Sequence, residues 1–196
     1  MPLIWKGDNG IVVTKNYHFK PDSYIVEVDY LISNNSNTDQ IVSSYTQLSH
    51  GSEEESGGGF MMGMQNFSGG ATYNDEEIFE KIDFEDFDSS PKTTSIGGWA
   101  AMIQHYFFAA WIPKDDKKHT YSTKSSRGKY LLTTVNPSSR IAAGTTASLG
   151  KNQLYIGPKE HVRLELLAPG LDKTVDYGWL FIIAKPVAIF LHWIYS

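Results

Sequence analysis

The sequence contains no cysteine. That removes disulfides, thiolate nucleophiles, zinc-finger spacings and iron–sulfur ligation together. It leaves the compartment open, because an oxidising space such as the bacterial periplasm permits disulfides without requiring them. Positive charge is scarce: 17 Lys and Arg against 22 Asp and Glu give a formal net charge of −5 at pH 7. A chain of that sign repels phosphate, so nucleic acid is excluded as an expected partner. No apolar run reaches the roughly 20 residues that a straight bilayer crossing needs. The opening Met1-Pro2-Leu3-Ile4-Trp5 lacks a basic region followed by an apolar segment, so no signal peptide is expected. Neither a Gly-x-Ser-x-Gly elbow nor a phosphate loop nor a dinucleotide fingerprint occurs.

The residues present point to a β protein. A length of 196 residues suits one domain, long enough to bury roughly 70% of the unfolded chain's surface. Hydrophobic residues at 41%, aromatics at 13% and charged residues at 20% exclude a disordered chain. Seventeen glycines beside that aromatic content favour short strands and turns. Tyr24, Val26, Val28, Tyr30 and Ile32 alternate with Glu27 and Asp29, giving one buried and one wet strand face. With the run Ile11–Phe19 and the turn residues Lys20-Pro21-Asp22-Ser23, this predicts a hairpin. Ser33 to Thr38 predicts a second turn, and Gln40 to Leu48 a weaker strand. Residues 49–76 read as loop because of Gly57-Gly58-Gly59 and Gly69-Gly70, with one apolar island of Phe60, Met61, Met62 and Met64. Strands are expected again within Gly97–Pro113, Lys129–Val135 and Arg140–Leu149. There is no internal repeat, and short strands between turns predict a β-sandwich or barrel.

The last forty residues change character. Pro158 suits the first position of a helix, and Lys159–Ala168 has an amphipathic pattern that Pro169-Gly170 ends. In Trp179–Tyr195 only Lys185 and His192 can hold a positive charge, and their spacing of seven puts them on one helical stripe. So apolar a helix must be covered, since each exposed Leu, Ile or Phe forfeits about 1.5–3 kcal/mol. Pro186 beside Lys185 kinks it, and Trp179, Trp193 and Tyr195 at its ends favour the headgroup zone. Two readings stand. The segment is a kinked buried helix packed on the sandwich, or it lies in a membrane interface through Trp179, Leu180, Phe181, Ile182, Ile183, Phe190 and Trp193.

Several blocks resemble a known family. Gly97-Gly98-Trp99-Ala100-Ala101-Met102-Ile103-Gln104-His105-Tyr106-Phe107 with Ala110-Trp111-Ile112-Pro113, then Leu154-Tyr155-Ile156-Gly157-Pro158, then Leu171 to Leu180 with Lys185-Pro186 and Ile194-Tyr195-Ser196, are similar in order to the YidC family of bacterial membrane protein insertases. The resemblance implies part of the large periplasmic domain of an inner-membrane protein of Gram-negative bacteria. Its expected fold is mainly β, a twisted antiparallel supersandwich related to sugar mutarotases, with short C-terminal α-helices. On that basis residues 1–157 are the β-sandwich, 158–178 an amphipathic helix and linker, and 179–196 an apolar interfacial helix leading to a transmembrane segment. The implied partners are membrane protein clients, the Sec translocon with its accessory subunits SecD and SecF, and the bilayer surface. No cofactor and no catalysis are expected, and the family's insertase groove belongs to its membrane part.

Kinship with mutarotases raises an alternative, a carbohydrate-binding or sugar-modifying module. That chemistry needs an acid–base pair in a cleft. Of His18, His50, His105, His119, His161 and His192, none is spaced to share a strand face with a carboxylate; His105 is the best placed. Hydrogen-bonded structural histidines are the ordinary explanation, and fold kinship does not carry function. Asp75–Asp88 holds eight acids against Lys81 alone, without the order of a calcium loop. It reads as a solvated edge strand or a dock for a basic partner. Trp99, Tyr106, Phe108 and Trp111 read as core or as a groove for an extended apolar peptide. The Met island plugs the sandwich end or offers adaptable apolar contacts. Phe60, Met61, Met62, Met64, Trp99 and Trp111 are thus candidate contacts for a client or partner.

Overall fold

The computed structural model describes residues 1–51, 67–76, 78–104, 106–159 and 161–174. In chain order the strands are β1 (Pro2–Lys6), β2 (Ile11–Phe19), β3 (Ile25–Asn34), β4 (Gln40–Val42), β5 (Tyr45–Gly51), β6 (Gly69–Tyr73), β7 (Phe79–Asp83), β8 (Thr93–Ile96), β9 (Trp99–Ile103), β10 (Phe107–Pro113), β11 (Lys118–Ser126), β12 (Lys129–Val135), β13 (Ser139–Ile141) and β14 (Thr146–Pro158). Helix α1 (His161–Leu167) and a 3-10 turn at Leu171–Thr174 follow. Eight strands form one sheet in the order β1-β2-β3-β14-β10-β9-β6-β7, and four form a second in the order β5-β12-β11-β8. β13 pairs with β4 as a small ribbon. All these pairings are antiparallel. The architecture is a β-sandwich with few helices, as the sequence pattern predicts.

The large sheet is covered on both faces. On one, Leu164, Ala168 and Leu171 pack over Trp99, Ala101, Ile103, Phe108, Ala110 and Tyr155. On the other, Tyr121 and Leu132 of the smaller sheet meet Ile82, Phe87, Ala100 and Met102, while Leu48 packs toward Val28, Tyr30, Ile32 and Trp111. Successive side chains of a strand point to opposite faces. A strand covered twice therefore has no wet face and no polar alternation. β9 and β6 are buried at all five positions each.

Double coverage corrects one reading. Gly69-Gly70 belongs to a central strand, not to a loop. The Gly70 Cα lies against the Phe87 ring, where an added Cβ would come within 3.0 Å, so glycine here admits a neighbour rather than a turn. The weak strand at Gln40–Leu48 divides between β4 and β5, which join different sheets. β1, β8 and β11 were not legible in the pattern. Pro158 is the last residue of β14, opposite Phe107, rather than the first of the helix. Its carbonyl accepts the Tyr155 hydroxyl at 2.7 Å, which holds the strand end in place. The acidic stretch supplies β7, the outer strand beside β6, with Glu80, Lys81 and Asp83 exposed along it.

The β8–β9 turn is made by Gly97 and Gly98, with φ of 74° and 76°. Left-handed backbone costs an L residue about 1–2 kcal/mol. A Cβ on Gly97 would meet nothing within 4 Å, whereas one on Gly98 would collide with the Tyr73 carbonyl oxygen. Gly97→Ala should therefore cost about 1 kcal/mol and Gly98→Ala at least about twice that in urea unfolding. Equal losses would show that the Tyr73 contact does not constrain the turn.

Candidate functional site

The C-terminal elements are seated at one end of the large sheet, where β6 ends and β9 begins. The Trp99 indole is fully buried and stacks parallel to Tyr73, with centroids 5.8 Å apart and planes 6° from each other. Phe79 meets it at 5.9 Å. Indole Nε1 donates to the Pro169 carbonyl at 3.0 Å. Gly170, at φ 70°, lies against the Tyr73 ring where no Cβ would fit, and Lys173 Nζ stands 5.1 Å from that ring's centre. Stacking, a partly buried hydrogen bond and a glycine contact thus fix residues 169–173 on the sheet.

A cleft of about 480 Å³ opens beside this seat, between the ends of the two sheets. Ile96, Ile112 and Pro113 supply apolar wall, and Asp75, Asp115, Asp116 and Lys114 stand around it. Lys114 Nζ donates to the Leu167 carbonyl at 3.3 Å, and burial lowers its pKa. Asp75 accepts the Ser95 hydroxyl at 3.0 Å and the Ile96 N–H at 3.4 Å; these bonds, the hydroxyl's first, hold its carboxyl below the usual range. Tyr121 donates to the Gly97 carbonyl at 2.7 Å. Burial, then the Asp115 and Asp75 carboxylates, push its phenol well above the ordinary value, so it stays a donor.

Behind the cleft runs a polar chain that the sequence did not disclose. Buried His119 has Nε2 2.7 Å from Asp115 Oδ1 and Nδ1 2.9 Å from Asn136 Oδ1, and the Asn136 amide donates to Ser44 at 2.7 Å. His18 Nε2 lies 2.7 Å from Asp29 Oδ2 on the neighbouring strand. Two histidines therefore do pair with carboxylates, one across a turn and one diagonally across β2 and β3. Spacing along one strand misses both. With its ring enclosed and both nitrogens engaged, His119 serves packing and hydrogen bonding. Among the described residues no three His, Asp or Glu side chains gather as a metal site.

Trp99 and Trp111, read as candidate partner contacts, are both buried, and Phe108 with them, so these rings belong to the core. Tyr106 alone of that group is exposed. The alternation misleads because β9 and β10 are covered on both faces. Phe60, Met61, Met62 and Met64, the segment Trp179–Trp193 with Lys185 and Pro186, and His105 lie outside the described residues.

Fold and site define a mutarotase-like β-sandwich domain with a short helical C-terminal segment latched to one sheet face. A galactose mutarotase related enzyme from Lactobacillus acidophilus superposes with a TM-score of 0.50 at 6% identity, over 80% of this chain and 66% of that one. Residues 1–190 match the family described as YidC periplasmic domain, and the chain belongs to it. The membrane protein insertase YidC of Vesicomyosocius okutanii is 52% identical over 196 residues, covering 100% of this chain and 36% of that protein. That of Methylobacillus flagellatus is 42% identical, over 99% of this chain and 34% of that protein. The chain thus spans about a third of the length of the curated relatives it matches.

Asp75 gives a pH test. Its folded pKa is depressed, so its contribution is present above the unfolded value of about 3.9 and is lost as pH falls through the lower folded value. Asp75→Asn should flatten the decline of stability with acid below about pH 4. Superimposable acid-unfolding curves for the two proteins would show that the Ser95 and Ile96 bonds do not couple to folding.

Proposed function

We propose that this chain is the periplasmic domain of an inner-membrane insertase, which inserts and folds integral membrane proteins alone or with the Sec translocon. The observation that carries the reading is membership of the YidC periplasmic-domain family together with relatives of that name at up to 52% identity over the full chain. The domain is non-catalytic in this reading and takes no cofactor. It positions the C-terminal segment at the periplasmic membrane face and contacts membrane protein clients or the Sec accessory subunits SecD and SecF. No helix among the described residues is long and apolar enough to cross a membrane.

The seat at Trp99 supports such a positioning role, since it fixes the chain at residues 169–173, just ahead of the apolar run. In that run Trp179, Leu180, Phe181, Ile182, Ile183, Phe190 and Trp193 would lie in the interface, with Lys185 and His192 toward water and Pro186 bending the helix to the surface. The likeness to a mutarotase-related enzyme at 6% identity concerns the fold and does not favour sugar chemistry.

In the full-length protein, Phe181→Asp, Ile182→Asp or Ile183→Asp should reduce insertion of membrane clients in cells and weaken liposome binding of the domain. If both stay at wild-type level, the segment is internal packing only. Galactose mutarotation in the presence of the domain should proceed at the buffer rate; saturable acceleration would overturn the non-catalytic reading.

A further inference from the structure

The turn that follows α1 satisfies itself only in part. The Ala168 carbonyl accepts the Leu171 N–H at 3.2 Å, the Gly170 carbonyl the Lys173 N–H at 3.1 Å, and the Leu171 carbonyl the Thr174 hydroxyl at 2.6 Å. These bonds close the turn on itself and would travel with it wherever it lay. The carbonyls of Leu167 and Pro169 find donors outside the segment, Lys114 Nζ at 3.3 Å and Trp99 Nε1 at 3.0 Å. The last carbonyls of a helix have no partner within it, and a lysine placed there also meets the negative end of the helix dipole.

Both donors stand on fixed backbone. Trp99 opens β9 opposite Tyr73 of β6, directly after the Gly97-Gly98 turn. Lys114 follows β10, the strand beside β9, and its own N–H donates to the Lys151 carbonyl at 3.0 Å. The next residue, Asp115, is held by the Lys117 N–H at 3.2 Å and by buried His119 at 2.7 Å. The Lys114 side chain is exposed as a whole, yet burial lowers its pKa, so its ammonium end is partly withdrawn from water. A hydrogen bond in that setting is stronger than one at a fully wet surface.

We propose that Lys114 and Trp99 are positioning residues, which together set where the turn sits on the sheet and so where the chain beyond residue 174 begins. The turn's own bonds set only its shape. A single attachment leaves a turn free to swing about it. Two attachments from the ends of neighbouring strands, with Gly170 seated against the Tyr73 ring, remove that freedom. Trp99 also fills the core, so its loss mixes positioning with stability. Lys114 separates the two.

The proposal rests on the insertase reading and assigns two residues to it. In the 196-residue chain, Lys114→Met removes the donor and its charge at an exposed position. Exchange of the Leu171 and Lys173 amides should quicken roughly three- to tenfold, the effect of losing one such bond, while the thermal midpoint stays within about 2 °C. Lys114→Arg keeps a cationic donor and should restore wild-type exchange. Trp99→Phe keeps a ring but loses the N–H, and should quicken the same amides with a lowered midpoint. In the full-length protein, Lys114→Met should lower client insertion several-fold at equal protein level, and Lys114→Arg should restore it.

Unchanged exchange at Leu171 and Lys173 in Lys114→Met, or a loss that Lys114→Arg does not restore, overturns the proposal. Faster exchange with wild-type insertion, where Phe181→Asp does impair insertion, also overturns it and leaves the insertase reading standing. If Phe181→Asp leaves insertion unchanged as well, that reading itself fails and the assignment falls with it.

Discussion

The indole of Trp99 is held where three parts of the molecule meet. Its ring lies parallel to Tyr73 from β6, Phe79 from β7 stands tilted against it, and its one polar atom bonds the Pro169 carbonyl beyond α1. Removing so large a buried side chain typically costs about 3–5 kcal/mol. Here it would also unseat the C-terminal segment, because an indole N–H enclosed by apolar rings has one satisfactory partner and that partner lies on the segment. The Gly98 turn presents the indole at this place, and Gly170 lets the opposing backbone come close enough to use it.

From this seat the arrangement of the whole follows. The large sheet needs cover on two faces. The smaller sheet supplies one cover and α1 with the following turn supplies the other. The contacts at Trp99 and Tyr73 hold residues 169–173 on the sheet. The proposed role of placing an apolar helix against a bilayer needs such an anchor just ahead of the helix. The cleft beside the seat and the Asp115–His119–Asn136–Ser44 chain behind it stiffen the same end. Likeness to a mutarotase-related enzyme is one of fold alone and says nothing of sugar chemistry.

Where the two faces of a strand differ in solvent exposure, the sequence is legible. Tyr24–Ile32 alternates visibly, and with the run Ile11–Phe19, rich in β-branched and aromatic residues, it forms the hairpin of β2 and β3. Lys129–Val135 matches β12 at both ends. Where exposure is equal on both faces, the signal fails. β6 shows Gly-Gly-Ala-Thr-Tyr because both faces are crowded, and β11 shows Lys-His-Thr-Tyr-Ser-Thr-Lys-Ser-Ser because most of it pairs through small polar residues at half-buried positions. Trp99 and Trp111 read as core by default with a groove as the alternative, and the second sheet and α1 make them core. The aspartate and histidine pairs were hidden because their partners come from register and turns, not from spacing.

The amino-acid sequence alone established a β protein with an amphipathic C-terminal stretch, no thiol chemistry, and blocks that resemble one family. Hydrophobic period and composition suffice for the first three, and the resemblance rests on the residue blocks themselves; all are local along the chain. The tertiary structure alone decided which glycines were strand and which were turn, and which aromatic rings were enclosed. Those outcomes depend on what lies across a strand from each residue. Residues far apart in the chain supply it, so no window along the sequence contains it.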